Sequence, residues 1–145
     1  MKSNKTLINS TPKQKVVGVF EKVSFLEYGI HDITAKIDTG AYTGAFHCTN
    51  IKLKDENGKK VLYFSPFDHP EIIKYTEDFL VRYVKSSNGG QEKRFLIETV
   101  VELAGNSYPI LLTLADRSEM KSQVLIGRRF LRAHNLLVDV SVLNQ

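Results

Sequence analysis

From residue 16 onward, short apolar runs alternate with polar turns, a pattern that predicts strands rather than long helices. "VVGVFEKVSF" (16–25) and "ITAKID" (33–38) are rich in branched and aromatic residues, and "LEYGIHD" breaks them. "FHCTNIKLK" (46–54) and "KVLYFSPF" (60–67) flank Asn57-Gly58, a pair that tolerates positive φ at both turn positions and so predicts a hairpin. "DFLVRYVKS" (78–86) and "KRFLIETVVEL" (93–103) flank a second turn, "SNGG". In the returning arm Phe95, Ile97, Thr99, Val101 and Leu103 alternate with Arg94, Leu96, Glu98, Val100 and Glu102, so one face should be the more buried. "AGNS" (104–107) turns the chain into "YPILLTLAD". "QVLIG" (123–127) is too short for a helix and reads as a buried strand. "RRFLRAHN" (128–135) predicts about two turns of helix with Phe130 and Leu131 inward and Asn135 as its stop. "LLVDV" (136–140) is a last strand. Many short strands and one short late helix predict an all-β fold, a closed or nearly closed β-barrel.

Length and composition narrow the picture. At 145 residues, 42% hydrophobic and 25% charged, the chain is expected to form one domain over residues 15–145, preceded by a flexible arm at 1–14 that lacks periodicity. No apolar run approaches the roughly 20 residues that span a bilayer, and the first residues lack the apolar stretch of a signal peptide. With Cys48 as its one cysteine, the chain has no intramolecular disulfide, and a cytoplasmic location is expected. The net charge of +4 owes much to Lys2, Lys5, Lys13 and Lys15 near the N-terminus. "GRRFLRAH" is the lone compact basic stretch and reads as helix surface, so nucleic acid is not an expected partner.

The sequence contains no glycine-rich phosphate loop, no H-E-x-x-H and no serine in a nucleophile elbow. His31, His47, His69 and His134 lie far apart, and zinc on His47, Cys48 and a distant third group has no support from spacing. No metal or cofactor is expected. Asp38 stands out because it ends an apolar strand and is followed by Thr39, Gly40 and Ala41. One reading is a turn former whose carboxylate accepts local N–H bonds. The other is a reactive carboxylate over which a substrate can lie, because Gly40 and Ala41 leave room. As general base and then general acid, it needs a second carboxylate to share its proton, since two carboxyls about 3 Å apart cannot both ionise easily.

"KIDTGA" followed, after several hairpins, by "VLIGRRFL" resembles the retropepsin-like aspartic peptidases, in which a D-T-G turn packs with a hydrophobic-hydrophobic-Gly strand and a short helix follows. "KIDTGAYTGAFHC", "VKSSNGG", "LTLADRSEMKSQVLIGRRFL" and "LVDVS" are similar to successive blocks of a retropepsin-like family labelled ATP-dependent zinc peptidase and associated with glutamate ligases of the ATP-grasp type. The resemblance implies that Asp38 is the catalytic carboxylate, that Thr39 braces the turn and that the Gly40 N–H faces the aspartate. It makes Val124–Gly127 the support of the turn, and it marks Ser86, Ser87, Asn88 and Gly89 as a substrate-closing flap, with an ordinary hairpin as the alternative. Ala41, Arg117 and Arg128 become candidate substrate contacts. Gly44 departs from the small hydroxyl residue common in the family, and no acidic residue soon after D-T-G is present to pair with Arg128. Neither an ATP site nor a zinc site is visible in the residues.

One D-T-G in the chain implies a homodimer with one Asp38 from each copy, unless Asp116 or Asp139 serves within a single chain. The expected activity is hydrolysis of peptide bonds, with acidic or glutamate-extended peptides as substrate. The competing expectations are a catalytically silent peptide-binding or assembly module on the same barrel, and a zinc-dependent hydrolase.

Overall fold

A computed structural model describes residues 15–142; the 1–14 segment expected to be a flexible arm lies outside them. The strands are β1 (Lys15–Val17), β2 (Phe20–Phe25), β3 (Ile30–Ile37), β4 (Gly44–Glu56), β5 (Lys59–Pro66), β6 (Lys74–Thr76), β7 (Leu80–Lys85), β8 (Gln91–Leu103), β9 (Asn106–Ala115), β10 (Val124–Ile126) and β11 (Leu136–Val138). The helix α1 spans Arg128–Ala133. Hydrogen-bonded neighbours run β10-β3-β2-β8-β9-β4, and β4 pairs back onto β10, so a barrel of 6 strands closes. The fold is all-β, as the strand pattern predicts. β5 and β6 extend the sheet beyond β4, β7 adds to β8, and β1 pairs in parallel with β11 in a separate two-stranded sheet. Among the described residues no helix is long and apolar enough to cross a membrane.

The turns follow from residue chemistry. Asn57 and Gly58 both take positive φ (52° and 81°), which matches the right-handed twist of the β4–β5 ribbon. Ala104 and Gly105 do the same between β8 and β9, at 51° and 81°. α1 starts after Gly127 and ends before Asn135, whose φ of 58° stops the helix, and it buries Phe130 and Leu131. On β8, Ile97, Thr99, Val101 and Leu103 are buried while Glu98 and Val100 are exposed, so the expected alternation holds from Ile97 onward; Leu96, expected on the less buried face, is buried, and Phe95 is half-buried. The 16–25 run divides at Gly18 and Val19, which belong to neither strand, and a side chain on Gly18 would meet the Val142 carbonyl. β1 then joins β11, while β2 joins β3 and β8.

Phe25, Tyr28, Phe46, Phe64 and Phe67 pack together in the barrel, with ring centroids between 5.7 and 6.4 Å apart. Each fully buried ring contributes about 2–3 kcal/mol through loss of apolar surface to water. Phe46 lies opposite Val124 in the β4–β10 pairing. The core therefore anchors the two strands that carry the Asp38 turn.

Candidate active site

β10 is inserted between β3, which ends one residue before Asp38, and β4, which begins at Gly44. The loop between them is consequently laced to β10 and α1. The Asp38 N–H donates to the Ile126 carbonyl at 2.8 Å, and the Ala41 N–H closes the turn onto the Asp38 carbonyl at 3.2 Å. The Arg128 and Arg129 N–H groups donate to the carbonyls of Ala41 and Tyr42 at 2.8 and 3.1 Å.

Such close passage needs glycine. A Cβ on Gly127 would lie 2.6 Å from the Tyr42 carbonyl oxygen and 2.9 Å from that of Ala41. A Cβ on Gly44 would run into the Leu125 carbonyl, which accounts physically for a glycine at that position of this chain.

The half-buried Asp38 accepts the Gly40 N–H on Oδ1 at 3.0 Å. Thr39 is exposed beside it. Arg128 donates through one guanidinium nitrogen to the carbonyls of Thr39 (3.3 Å) and Gly40 (3.1 Å) and lies over the Tyr42 ring. It braces the turn without needing an acidic partner. It also lines a cleft of about 440 Å³ with Thr39 and the β11 residues Leu136 and Leu137, not the cleft that holds Asp38.

Asp38 opens into a cleft of about 350 Å³ shared with Lys36, Arg117, Glu119, Lys121 and Ser122. Arg117 Nε donates to the Ser122 carbonyl at 3.0 Å. Partial burial lowers the guanidinium pKa from its ordinary value, and the negative charge of Asp38 pulls it back up. Asp38 and Arg117 thus share one cleft, while Arg128 binds the backbone of the Asp38–Ala41 turn and lines a second cleft with Thr39. The Asp38 cleft adds Lys36, Glu119, Lys121 and Ser122, which the sequence reading missed. Lys36 had a signal, since residues two apart on a strand share a face.

Asp116 and Asp139 do not line the Asp38 cleft. Their carboxylates accept from the backbone and hydroxyl of Ser118 and of Ser141, and these bonds hold both pKa values below the usual aspartate level. The Ser86–Gly90 loop is closed by its own bonds, including Ser86 N–H to the Gly90 carbonyl at 2.8 Å, Gly89 N–H to the Ser86 carbonyl at 3.1 Å and Ser86 Oγ to Asn88 Oδ1. The Asp38 cleft is lined without it.

Zinc does not fit His47 and Cys48. Successive strand residues point to opposite faces; Cys48 belongs to the apolar core, where burial raises its thiol pKa and keeps it protonated. Both His47 ring nitrogens are already engaged by the protein. Among the described residues no cluster of three or more histidine, cysteine or acidic side chains is disposed to hold a metal ion.

With this geometry, the comparison that decides the family is a match over residues 16–143 to the RimB-like family, retropepsin-like aspartic endopeptidases. The chain belongs to that family. Relatives named probable alpha-L-glutamate ligase include those of Shewanella pealeana (35% identical over 133 residues), Shewanella halifaxensis (34% over 133) and Desulfotalea psychrophila (31% over 131). Each match covers 87% of this chain and 28% of the relative, so the RimB-like chain spans little more than a quarter of their length. The crystal structure of a Legionella pneumophila protein of unknown function superposes with a TM-score of 0.72 at 22% identity, over 92% of this chain and 98% of that one. This last likeness concerns the fold.

Proposed function

We propose that this RimB-like protein is an aspartic peptidase in which Asp38 carboxylates from two copies of the chain activate a water molecule. The observation that carries the reading is the Asp38 turn itself, a half-buried carboxylate steadied by the Gly40 N–H and laced to the V-L-I-G strand, in a member of this family. In the dyad one carboxylate is ionised and takes a proton from water as it attacks the peptide carbonyl carbon. The other, protonated, donates to the carbonyl oxygen. The tetrahedral intermediate then collapses as a carboxyl proton passes to the leaving amine. The Ser86–Gly90 hairpin is proposed as the flap on the resemblance alone, since the Asp38 cleft is lined without it; closing over the peptide, it would exclude water.

The dimer reading is supported by position. Thr39 lies in the same cleft as Leu136, Leu137 and Val138 of β11, and the small β1–β11 sheet leaves Val16 and Leu137 exposed, with Val140 just beyond. A second copy seated there meets the edge of the Asp38 turn. Acidic or glutamate-extended peptides are the proposed substrates. Lys36, Arg117 and Lys121 line the Asp38 cleft and outnumber its carboxylates, Asp38 and Glu119, and the relatives' printed names concern glutamate ligation. A cytoplasmic setting accords with the buried free thiol of Cys48.

The test is mass-spectrometric cleavage of a peptide pool containing glutamate-extended members, by wild type and Asp38→Asn, across a pH series with and without chelator. Cleavage lost in Asp38→Asn and indifferent to chelator is the expected result. Binding that survives the substitution without any turnover by wild type would move the protein to the peptide-binding module. Loss with chelator alone would move it to metal-dependent hydrolysis.

A further inference from the structure

His47 is fully buried on β4, facing away from the apolar core that takes its neighbours Phe46 and Cys48. A buried imidazole needs partners at both nitrogens, and here they come from distant segments. The backbone N–H of Arg117 donates to Nδ1 at 2.8 Å. An amide N–H can only give a proton, so Nδ1 must present its lone pair. The ring proton therefore sits on Nε2, which donates to Asp68 Oδ1 at 2.7 Å.

The second oxygen of Asp68 accepts from Gln123 Nε2 at 2.9 Å, and the Gln123 carbonyl accepts the His47 N–H at 2.8 Å. The Phe67 N–H donates to the His47 carbonyl at 2.8 Å. One histidine thus ties β4 to the turn after β5 and to both ends of the link between β9 and β10. That link carries Arg117, and its guanidinium lines the Asp38 cleft.

We propose that His47 is a positioning residue whose neutral Nε2–H tautomer fixes the backbone of Arg117 and so holds the Arg117 guanidinium beside Asp38. The placement of Arg117 stands on geometry alone; only its service to acidic substrates rests on the peptidase reading. Protonation of His47 removes the lone pair that Arg117 needs. The groups facing the ring are Asp68, Asp116, Gln123 and Arg117 itself. Among them Asp116 Oδ1, 3.7 Å from Nδ1 and held by Ser118, is the acceptor to which a new Nδ1–H would turn. Acid therefore releases the Arg117 backbone while Asp68 keeps its bond to Nε2.

The test uses the 145-residue chain without substrate. Nitrogen-15 spectra of the imidazole should show Nδ1 unprotonated and Nε2 protonated at neutral pH. Amide exchange at Arg117 should speed up about tenfold in His47→Gln, as expected for loss of one hydrogen bond. His47→Asn, whose side-chain oxygen stands near the Nδ1 position, should restore protection. Asp68→Ala changes an exposed turn residue, keeps the fold intact and should also loosen Arg117. On lowering pH, wild-type Arg117 exchange, corrected for its intrinsic rate, should rise in step with His47 protonation, and His47→Asn should not show that step.

Protonated Nδ1 at neutral pH would overturn the proposal, as would Arg117 exchange unmoved in both His47→Gln and Asp68→Ala or unmoved by His47 protonation. Because no readout involves turnover, these failures are separable from those of the peptidase reading. A protein that cleaves nothing yet shows the Arg117 behaviour sinks only the latter.

Discussion

At the scale of single residues, the charge around Asp38 makes a prediction about substrate rather than about chemistry. Arg117 lines the cleft without an ion-pair partner within bonding distance among the described residues, although Asp38 acts on it electrostatically. Arg117→Ala is therefore expected to raise KM for a glutamate-extended peptide about tenfold, the worth of one charge-assisted hydrogen bond, with a smaller change in kcat. The wild-type advantage should shrink as salt is raised; steady-state kinetics at two ionic strengths checks both. Asp68 carries the pH argument. The hydrogen bond from His47, followed by that from Gln123, lowers its pKa below the ordinary 3.8. A depressed folded-state pKa contributes stability above the unfolded value and loses it as pH falls through the folded one. Urea unfolding of wild type and Asp68→Ala should therefore differ most above the ordinary aspartate value of 3.8 and converge only as pH falls below it. The turn at Asp38 was legible in the sequence because its motif is local. His47, Asp68, Arg117 and Gln123 were not legible as a group, since their bonds link residues 21, 55 and 70 positions apart.

Elements tell a similar story of local success and non-local surprise. The Asn57-Gly58 and Ala104-Gly105 turns, the late helix and the alternation along β8 each follow from a few adjacent residues, so pattern alone predicts them. That β10 lies between β3 and β4 follows from no local pattern; what pointed to it was the resemblance of D-T-G and V-L-I-G to a known pairing. β6 escaped detection because "KYT" is short and pairs with β5 only through three residues. The β10 insertion makes Gly127 a sharp probe. Its absent side chain leaves room for the carbonyls of Ala41 and Tyr42, and backbone atoms cannot swing away as a flexible side chain can. Gly127→Ala is expected to cost about 1–3 kcal/mol by forced displacement. Because the displaced atoms belong to the Asp38 turn, turnover should fall further than the unfolded fraction explains; urea melts alongside active-site titration separate the two losses.

For the whole molecule, a dyad assembled from two copies of Asp38 has a quantitative signature that a single-chain site lacks. If wild type and Asp38→Asn chains are unfolded together, refolded and allowed to pair at random, the fraction of dimers with two aspartates is the square of the wild-type fraction. An equal mixture should then retain about a quarter of the activity of the same total concentration of wild type, whereas independent active sites retain about half. Asp38→Asn suits the experiment because Oδ1, which accepts the Gly40 N–H, persists in asparagine, so the turn and the pairing surface are preserved. The same logic applies to dilution: specific activity should fall once protomers drop below the dissociation constant, and addition of excess Asp38→Asn to dilute wild type should inhibit rather than rescue. Linear loss on mixing, together with dilution-independent specific activity, would place both catalytic groups in one chain. Glu119, which already shares the cleft with Asp38, would then be the first carboxylate to substitute.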